Sequence, residues 1–359
     1  MDRLNESSDK RIEFGITTGT AATAAALAAY LAIKNKTVNF VDIKTPVGIL
    51  KIEVSDFQKL NNKSGKSCIL KKSYRDPDVT KNIEICAQVN IIDHDNIIIK
   101  GGEGVGTVTK PGLQLPVGEA AINPTPRKMI EENLKLFLEG NKGLEVIISV
   151  PQGKRIAKKT MNSRLGILGG ISILGTTGIA RPMSSKAYME SLKCQIDVAL
   201  AQGFKELIFV PGNIGQNLAQ KILNVKKDQI VQMSNYVGYM LNEASKKGVE
   251  KITMVGHAGK LVKIAAGIYN TKNSIADGRA EIITAYSGLA GANKETLNRI
   301  FKSKTTENMI DILEEKDLVR NVFDPIADSI KSRCREKYKM RFDVIIARMD
   351  GTILNSYFK

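Results

Sequence analysis

The stretch ELIFVPGNIG, residues 206–215, decides the fold of the second half of the chain. Residues 206–210 have the length and apolar character of a buried strand, and Pro211-Gly212 stops it. The pattern returns twice. QIVQM (229–233) ends at Ser234-Asn235, and KITMV (251–255) ends at GHAGK (256–260). Helical patterns cover residues 184–202, a segment after 215, residues 236–247 and the run to Tyr269. Strands alternating with helices predict a parallel sheet. Such sheets take their ligands beyond the carboxyl ends of the strands, and all three polar or glycine-rich loops fall there. GHAGK is not a phosphate loop, because Leu261 stands where Ser or Thr must follow the lysine and the earlier glycine is missing.

Before residue 183 the pattern changes. Strands are predicted over 38–44, 49–54, 83–92, 97–100 and 144–150, and helices over 21–34 and 127–140, without regular alternation. The loop GITTGT (15–20) leads into an alanine-rich helix capped by Thr18 or Thr20. Its free backbone N–H groups suit an anion, against the plainer reading of a capped helix that packs through its alanines. The run GGEGVG (101–106) is not a dinucleotide fingerprint, since β-branched residues and Pro111-Gly112 follow it instead of a helix. A glycine-rich hairpin that touches a ligand and an ordinary tight turn both fit. RLGILGGISILGTTGIARPM (164–183) is neither a good helix nor a uniform strand, and such segments line clefts or link domains.

Length and composition bound the rest. The 359 residues suggest two domains, placed at 1–183 and 184–359. With 43% hydrophobic and 25% charged residues the chain is an ordinary globular protein rather than a disordered one. Its longest membrane-like run, residues 21–33, is too short to span a bilayer, and the first residues show no apolar signal, so a cytoplasmic location is expected. The net charge of +16 attracts polyanions, although lysine-rich composition alone would produce it. Cys68, Cys86, Cys194 and Cys334 are scattered, without a Cys-x-x-Cys pair, so no metal site is expected and a reducing compartment is. The only histidines are His94 and His257. Basic residues at 331, 333, 335, 337, 339 and 341 read as a solvated edge leading into a last strand at 342–347. The absence of tryptophan and the scarcity of aromatic residues argue against stacked nucleic-acid bases, and no nucleic-acid partner is expected.

Nine stretches together resemble one family. They are GITTGTAAT (15–23), DPDVT (76–80), GGEGVGTVTKPGL (101–113), PVGEAAINPTPRKMI (116–130), RLGILGGISILGTTGIARPMS (164–184), PGNIG (211–215), SNYVG (234–238), GHAGKLVKIAAGI (256–268) and ADGRAE (276–281). In this order they are similar to the cobalt-precorrin-5B C-1-methyltransferase (CbiD) family, over about residues 12–290. The tail beyond about 300 shows little likeness. Ala21, Lys72, Arg75 and Lys272 depart from the family's usual residues, so neither a thiol at 21 nor a proton relay at 272 is expected.

The resemblance implies methyl transfer from S-adenosylmethionine to C-1 of cobalt-precorrin-5B, giving cobalt-precorrin-6A in anaerobic cobalamin synthesis. Cobalt enters only as part of the substrate. It also implies an α+β N-terminal domain of the ribosomal S5 domain-2 type, followed by an α/β domain with a mainly parallel sheet. On that reading the donor lies near Gly212, Asn213, Gly215, Ser234, Gly256 and Gly259, with Asp277 as an alternative ribose partner. The corrinoid is expected between the domains, against Thr17, Thr18, Gly19, Thr20, Gly102, Gly104, Thr176 and Thr177. Arg127, Arg164 and Arg181 would hold its carboxylates, and His257 and Glu103 would handle protons if any move. A homo-oligomer, or contact with other enzymes of the pathway, stays open. So do two rivals: a small-molecule kinase on an S5-type domain and a non-catalytic polyanion binder.

Overall fold

The computed structural model describes residues 15–72, 78–138, 142–180 and 185–356. The chain forms two compact units, Met1–Ser185 and Lys186–Lys359.

In the first unit α1 (Thr18–Ile33) is buried along its whole length. A helix apolar on every side belongs inside a core, and alanine gives it that surface at no cost in side-chain entropy. Around it lie a hairpin of β1 (Phe40–Thr45) and β2 (Gly48–Glu53), and a five-stranded sheet. The sheet contains β3 (Asp56–Asn61), β4 (Ser64–Leu70), β5 (Glu84–Ile92), β6 (Ile97–Gly101) and β7 (Gly143–Ser149). Its order is β3-β4-β5-β7-β6, antiparallel except for the last pair. Alternate residues of β5 and β7, among them Ile85, Val89, Leu144, Val146 and Ile148, join the core that α1 fills. The helix α2 (Pro124–Lys135) starts on two prolines in its first turn, where their missing N–H groups cost nothing.

Strands β3 and β4 are not evident from the sequence, because Lys, Asn, Ser and Gly dilute their alternation. Their pairing overturns the picture of scattered cysteines. The β4–β5 register sets Cys68 directly opposite Cys86, Cα to Cα 4.0 Å, and the two are disulfide-bonded. Cys194 and Cys334 are free thiols.

In the second unit α3 (Ser185–Ala201) leads to β8 (Glu206–Val210), α4 (Asn213–Ile222), β9 (Ile230–Gln232), α5 (Val237–Lys246), β10 (Lys251–His257) and α6 (Ala258–Ala265). Then follow α7 (Arg279–Leu289), α8 (Lys294–Lys302), α9 (Thr306–Glu314), α10 (Val319–Lys337) and β11 (Arg341–Ala347). The four strands pair in the order β9-β8-β10-β11, all parallel. The basic stretch from 331 to 337 belongs to α10, not to an extended edge. Its alternate charges flank Ile330 and Cys334, both fully buried. The order of connection switches between β8 and β10, with β9 added on one side of β8 and β10 and β11 on the other, which makes their carboxyl ends the crevice where doubly wound sheets bind ligands.

No helix among the described residues is long and apolar enough to cross a membrane. Nor do those residues hold a group of three or more His, Cys, Asp or Glu able to bind a metal ion.

Candidate functional site

The carboxyl edge of the parallel sheet gathers the loops after β8, β9 and β10. Val210 pairs with Gln232, and the Met233 N–H donates to the Val210 carbonyl, so the first two loops leave at the same level. A β-carbon on Gly256 would lie 2.8 Å from Cδ of Pro211, and one on Gly215 would lie 2.8 Å from the Val255 carbonyl oxygen. These two glycines serve the close fit of one loop on another. Gly212 differs, because nothing stands within 4 Å of the place where its β-carbon would be. Ser234, half-buried, takes φ 52° and turns the chain off β9. Asn213 opens α4, and its Oδ1 accepts a hydrogen bond from Gln232 Nε2 at 2.9 Å. Gly212, Asn213 and Ser234 therefore sit together on one edge, with room beside Gly212.

His257 ends β10 and caps α6. Its Nδ1 accepts the Gly259 N–H at 3.2 Å. A backbone N–H is always a donor, so the ring hydrogen sits on Nε2, which donates to Glu307 Oε1 at 2.8 Å. Both ring nitrogens are thus engaged in holding the loop. Gly259 packs against that ring, and a β-carbon on it would lie 3.0 Å from Thr306 Oγ1. Burial works against the charge on Glu307, but hydrogen bonds from His257, Arg348 and the Met349 N–H outweigh it and hold the carboxyl below its usual value.

Asp277 is already paired within the fold. Arg279 grips both its oxygens, Nε to Oδ1 at 2.6 Å and the other arm to Oδ2 at 2.7 Å, and Lys263 lies 3.7 Å away. Those bonds from Arg279 keep the carboxyl below the ordinary aspartate range. Lys263 is fully buried and donates to the carbonyls of Thr271 and Ala276 and to Asn273 Oδ1. Lys260 donates to Asn235 Oδ1 at 2.6 Å. Burial, helped by the charge of Arg279 and opposed by Asp277, pushes both ammonium groups below their usual value. Sequence reading missed Lys260, Lys263, Glu307 and Arg348. The lysine spacing of three on a helix was a visible signal, whereas Glu307 and Arg348 reach the site only through the tertiary fold.

In the first unit the threonine loop and the segment 164–180 do come together, but the threonines face inward. Thr17 caps α1 through the Thr20 N–H at 3.1 Å. Thr18 Oγ1 donates to the Leu174 carbonyl at 3.1 Å and accepts the Leu174 N–H at 2.8 Å. Thr20 Oγ1 donates to the Gly178 carbonyl at 2.7 Å, and the Gly19 N–H donates to Leu174. An anion at this helix start would find those donors already spent. The loop fastens the segment, whose Thr176 and Thr177 are exposed.

The glycine loop is likewise a junction of three segments of the chain. Gly104 has φ 71°, and a β-carbon there would lie 1.9 Å from the Val150 carbonyl oxygen. The left-handed backbone and the contact both require glycine. At Gly102 a β-carbon would lie 2.3 Å from the side-chain oxygen of Ser149. Glu103, between them, is exposed.

Arg127 does not present its guanidinium outward. It donates to the carbonyls of Ile122, Ile99 and Ala120 and pairs with Glu119 at 3.0 Å. Arg164 is half-buried, and Arg181 lies outside the described residues.

Comparison with known proteins follows this geometry. The family model described as CbiD matches residues 5–182, and the one described as CbiD, C-terminal domain, matches residues 270–357. A protein of Methanosphaera stadtmanae named cobalt-precorrin-5B C(1)-methyltransferase is 54% identical over 95% of this chain and 90% of its own. One of the same name from Methanobrevibacter smithii is 50% identical, covering 96% and 97%. A third, from Methanocaldococcus jannaschii, is 49% identical over 97% of each. A crystal structure of a cobalamin biosynthesis protein (cbiD) from Archaeoglobus fulgidus is 30% identical, covers 75% of this chain and 84% of its own, and has a TM-score of 0.39. The likeness thus runs well past residue 300, through α9, α10 and β11, where the short motifs give out. Identity at this level along almost the whole chain leaves one assignment: it belongs to the CbiD family.

Proposed function

We propose that the protein is an S-adenosylmethionine-dependent C-methyltransferase that acts on C-1 of cobalt-precorrin-5B to give cobalt-precorrin-6A. The observation that carries this reading is the 54% identity to a protein of that name across 95% of the chain. The carboxyl edge of the parallel sheet supplies a fitting place for the donor. Gly212 leaves open space, Asn213 and Ser234 offer polar atoms beside it, and the exposed Ile214 adds an apolar surface for a base. When bound, the sulfonium supplies an already activated methyl group.

The chain's own residues then mainly bind and orient. Holding two reactants in line lowers a barrier by roughly 7–11 kcal/mol at the favourable limit. His257 serves the loop and not the chemistry, since both its nitrogens are engaged. Glu103, exposed, is the remaining candidate for a proton if one must move. The segment 164–180 offers the corrinoid Thr176, Thr177 and the exposed faces of Leu168 and Leu174. Arg164 and Arg181 would meet the substrate's rim carboxylates, and the surplus of 16 positive charges draws that polyanion in. We read the first unit, with its buried helix against a five-stranded sheet, as the ribosomal S5 domain-2 type.

The test is incubation with cobalt-precorrin-5B and either S-adenosylmethionine or ATP. A methylated corrinoid from the first mixture alone is the expected result. A phosphorylated product from the second would favour the kinase, and neither product beside an active relative would end the reading.

A further inference from the structure

The strands β10 and β11 run side by side to the pair His257 and Ala347. The next residue, Arg348, turns its side chain to α9 and is only 16% exposed. Its guanidinium meets three carboxylates there: Glu307 at 2.9 Å, Asp311 at 2.5 Å and Glu314 at 2.8 Å. Positions 307, 311 and 314 share one helix face. Glu307 is the branch point. One oxygen takes Arg348 Nε, and the other takes both His257 Nε2 and the Met349 N–H. The network does not spread along α9 but converges on the two residues that end β10 and follow β11 at the sheet's carboxyl edge.

We propose that Glu307 and Arg348 are positioning residues for the methyl donor, acting through His257. Glu307 accepts the Nε2 hydrogen, which leaves Nδ1 free to accept from Gly259 and so fixes the loop 256–260. Arg348 in turn fixes the carboxylate, because charge-assisted bonds to Arg are short and directional. Outer partners of this kind govern a ligand's geometry without touching it. The inference rests on the reading that this loop and its neighbours hold the donor.

The experiment measures S-adenosylhomocysteine affinity by calorimetry, with donor KM, corrinoid KM and kcat alongside, for the wild type, Glu307→Gln, Arg348→Met, Arg348→Lys and Gly256→Leu. Glutamine preserves the shape but puts an NH2 in place of one accepting oxygen and removes the charge, so Arg348 Nε on one side, or His257 Nε2 and the Met349 N–H on the other, loses its acceptor and the relay is broken. In Glu307→Gln and Arg348→Met, donor affinity should weaken by about tenfold, with corrinoid KM and kcat at saturating donor nearly unchanged. Arg348→Lys keeps the charge but not the fork, and should fall between. Unaltered donor affinity in Glu307→Gln, or a fall in kcat alone that tracks loss of folded protein, would overturn the proposal and make the network merely structural. If Gly256→Leu leaves donor affinity unchanged, the donor placement itself fails and the inference goes with it. If Gly256→Leu weakens binding while Glu307→Gln does not, only the positioning role fails. Should Arg348→Met not fold, Glu307→Gln and Arg348→Lys decide the matter.

Discussion

Gly65 lies so close to Ala29 that a β-carbon on it would stand 2.2 Å from the Ala29 carbonyl oxygen. The obstacle is backbone, so no side chain can swing aside. This contact sets how deeply α1 beds onto β4. Gly65→Val should therefore force helix and strand apart and lower stability by about 1–3 kcal/mol or more. Urea denaturation of the pure protein reads the change in midpoint, and an unchanged midpoint would show that the helix is free to shift.

Cys68 and Cys86 close a loop of sequence separation 18. By loop-closure entropy such a crosslink stabilises by about 3 kcal/mol. Protein unfolded without reductant should titrate two thiols, from Cys194 and Cys334, and four after reduction. The double substitution of Cys68 and Cys86 by serine should unfold at correspondingly lower urea under oxidising conditions. Four thiols without reductant would contradict the bond.

Arg127 spends its donors on three carbonyls and Glu119. Arg127→Met should cost about 1–3 kcal/mol of stability by stripping buried acceptors of their partner, and corrinoid affinity per folded molecule should stay as it was. Arg164→Met should instead weaken corrinoid binding per folded molecule. Denaturation curves paired with corrinoid titrations separate the two, and a corrinoid-specific loss in Arg127→Met would return that residue to the substrate.

Asp277 is held below its usual value of 3.8, chiefly by Arg279. A lowered carboxylate contributes stability above its unfolded pKa and loses it as pH falls through the folded pKa. The stability advantage of the wild type over Asp277→Asn should thus stay level at neutral pH and shrink only below about 3.8. Urea midpoints against pH check this, and an advantage that faded near neutrality would assign it to another group.

The parallel half of the fold was legible because its strands are short apolar runs punctuated by polar loops. Residues 206–210 begin and end where the pattern says. The loops at the carboxyl ends followed from that alone. Strands β3 and β4 were not legible, since β3 is largely polar and exposed, β4 buries Ser64 and Ser67 among its apolar residues, and their partners lie on other strands. The disulfide was hidden with them, because only strand register brings Cys68 to Cys86. Glycines were the hardest to interpret. Gly104 and Gly256 look like ligand contacts in the sequence, yet the bodies they make room for are Val150 and Pro211. The threonines of 17–20 misled in the same way, since hydroxyls that suit an anion suit carbonyls equally well. Glu307 and Arg348 had no local signature, being drawn to the site across the sheet.

The most direct measurement is transfer of a carbon-13 methyl group from S-adenosylmethionine to cobalt-precorrin-5B, followed by NMR of the isolated corrinoid. The label should appear as a methyl on C-1 of the ring and require both the donor and the folded protein. A label at another ring position, or an unlabelled ring where a known relative labels it, would contradict the account.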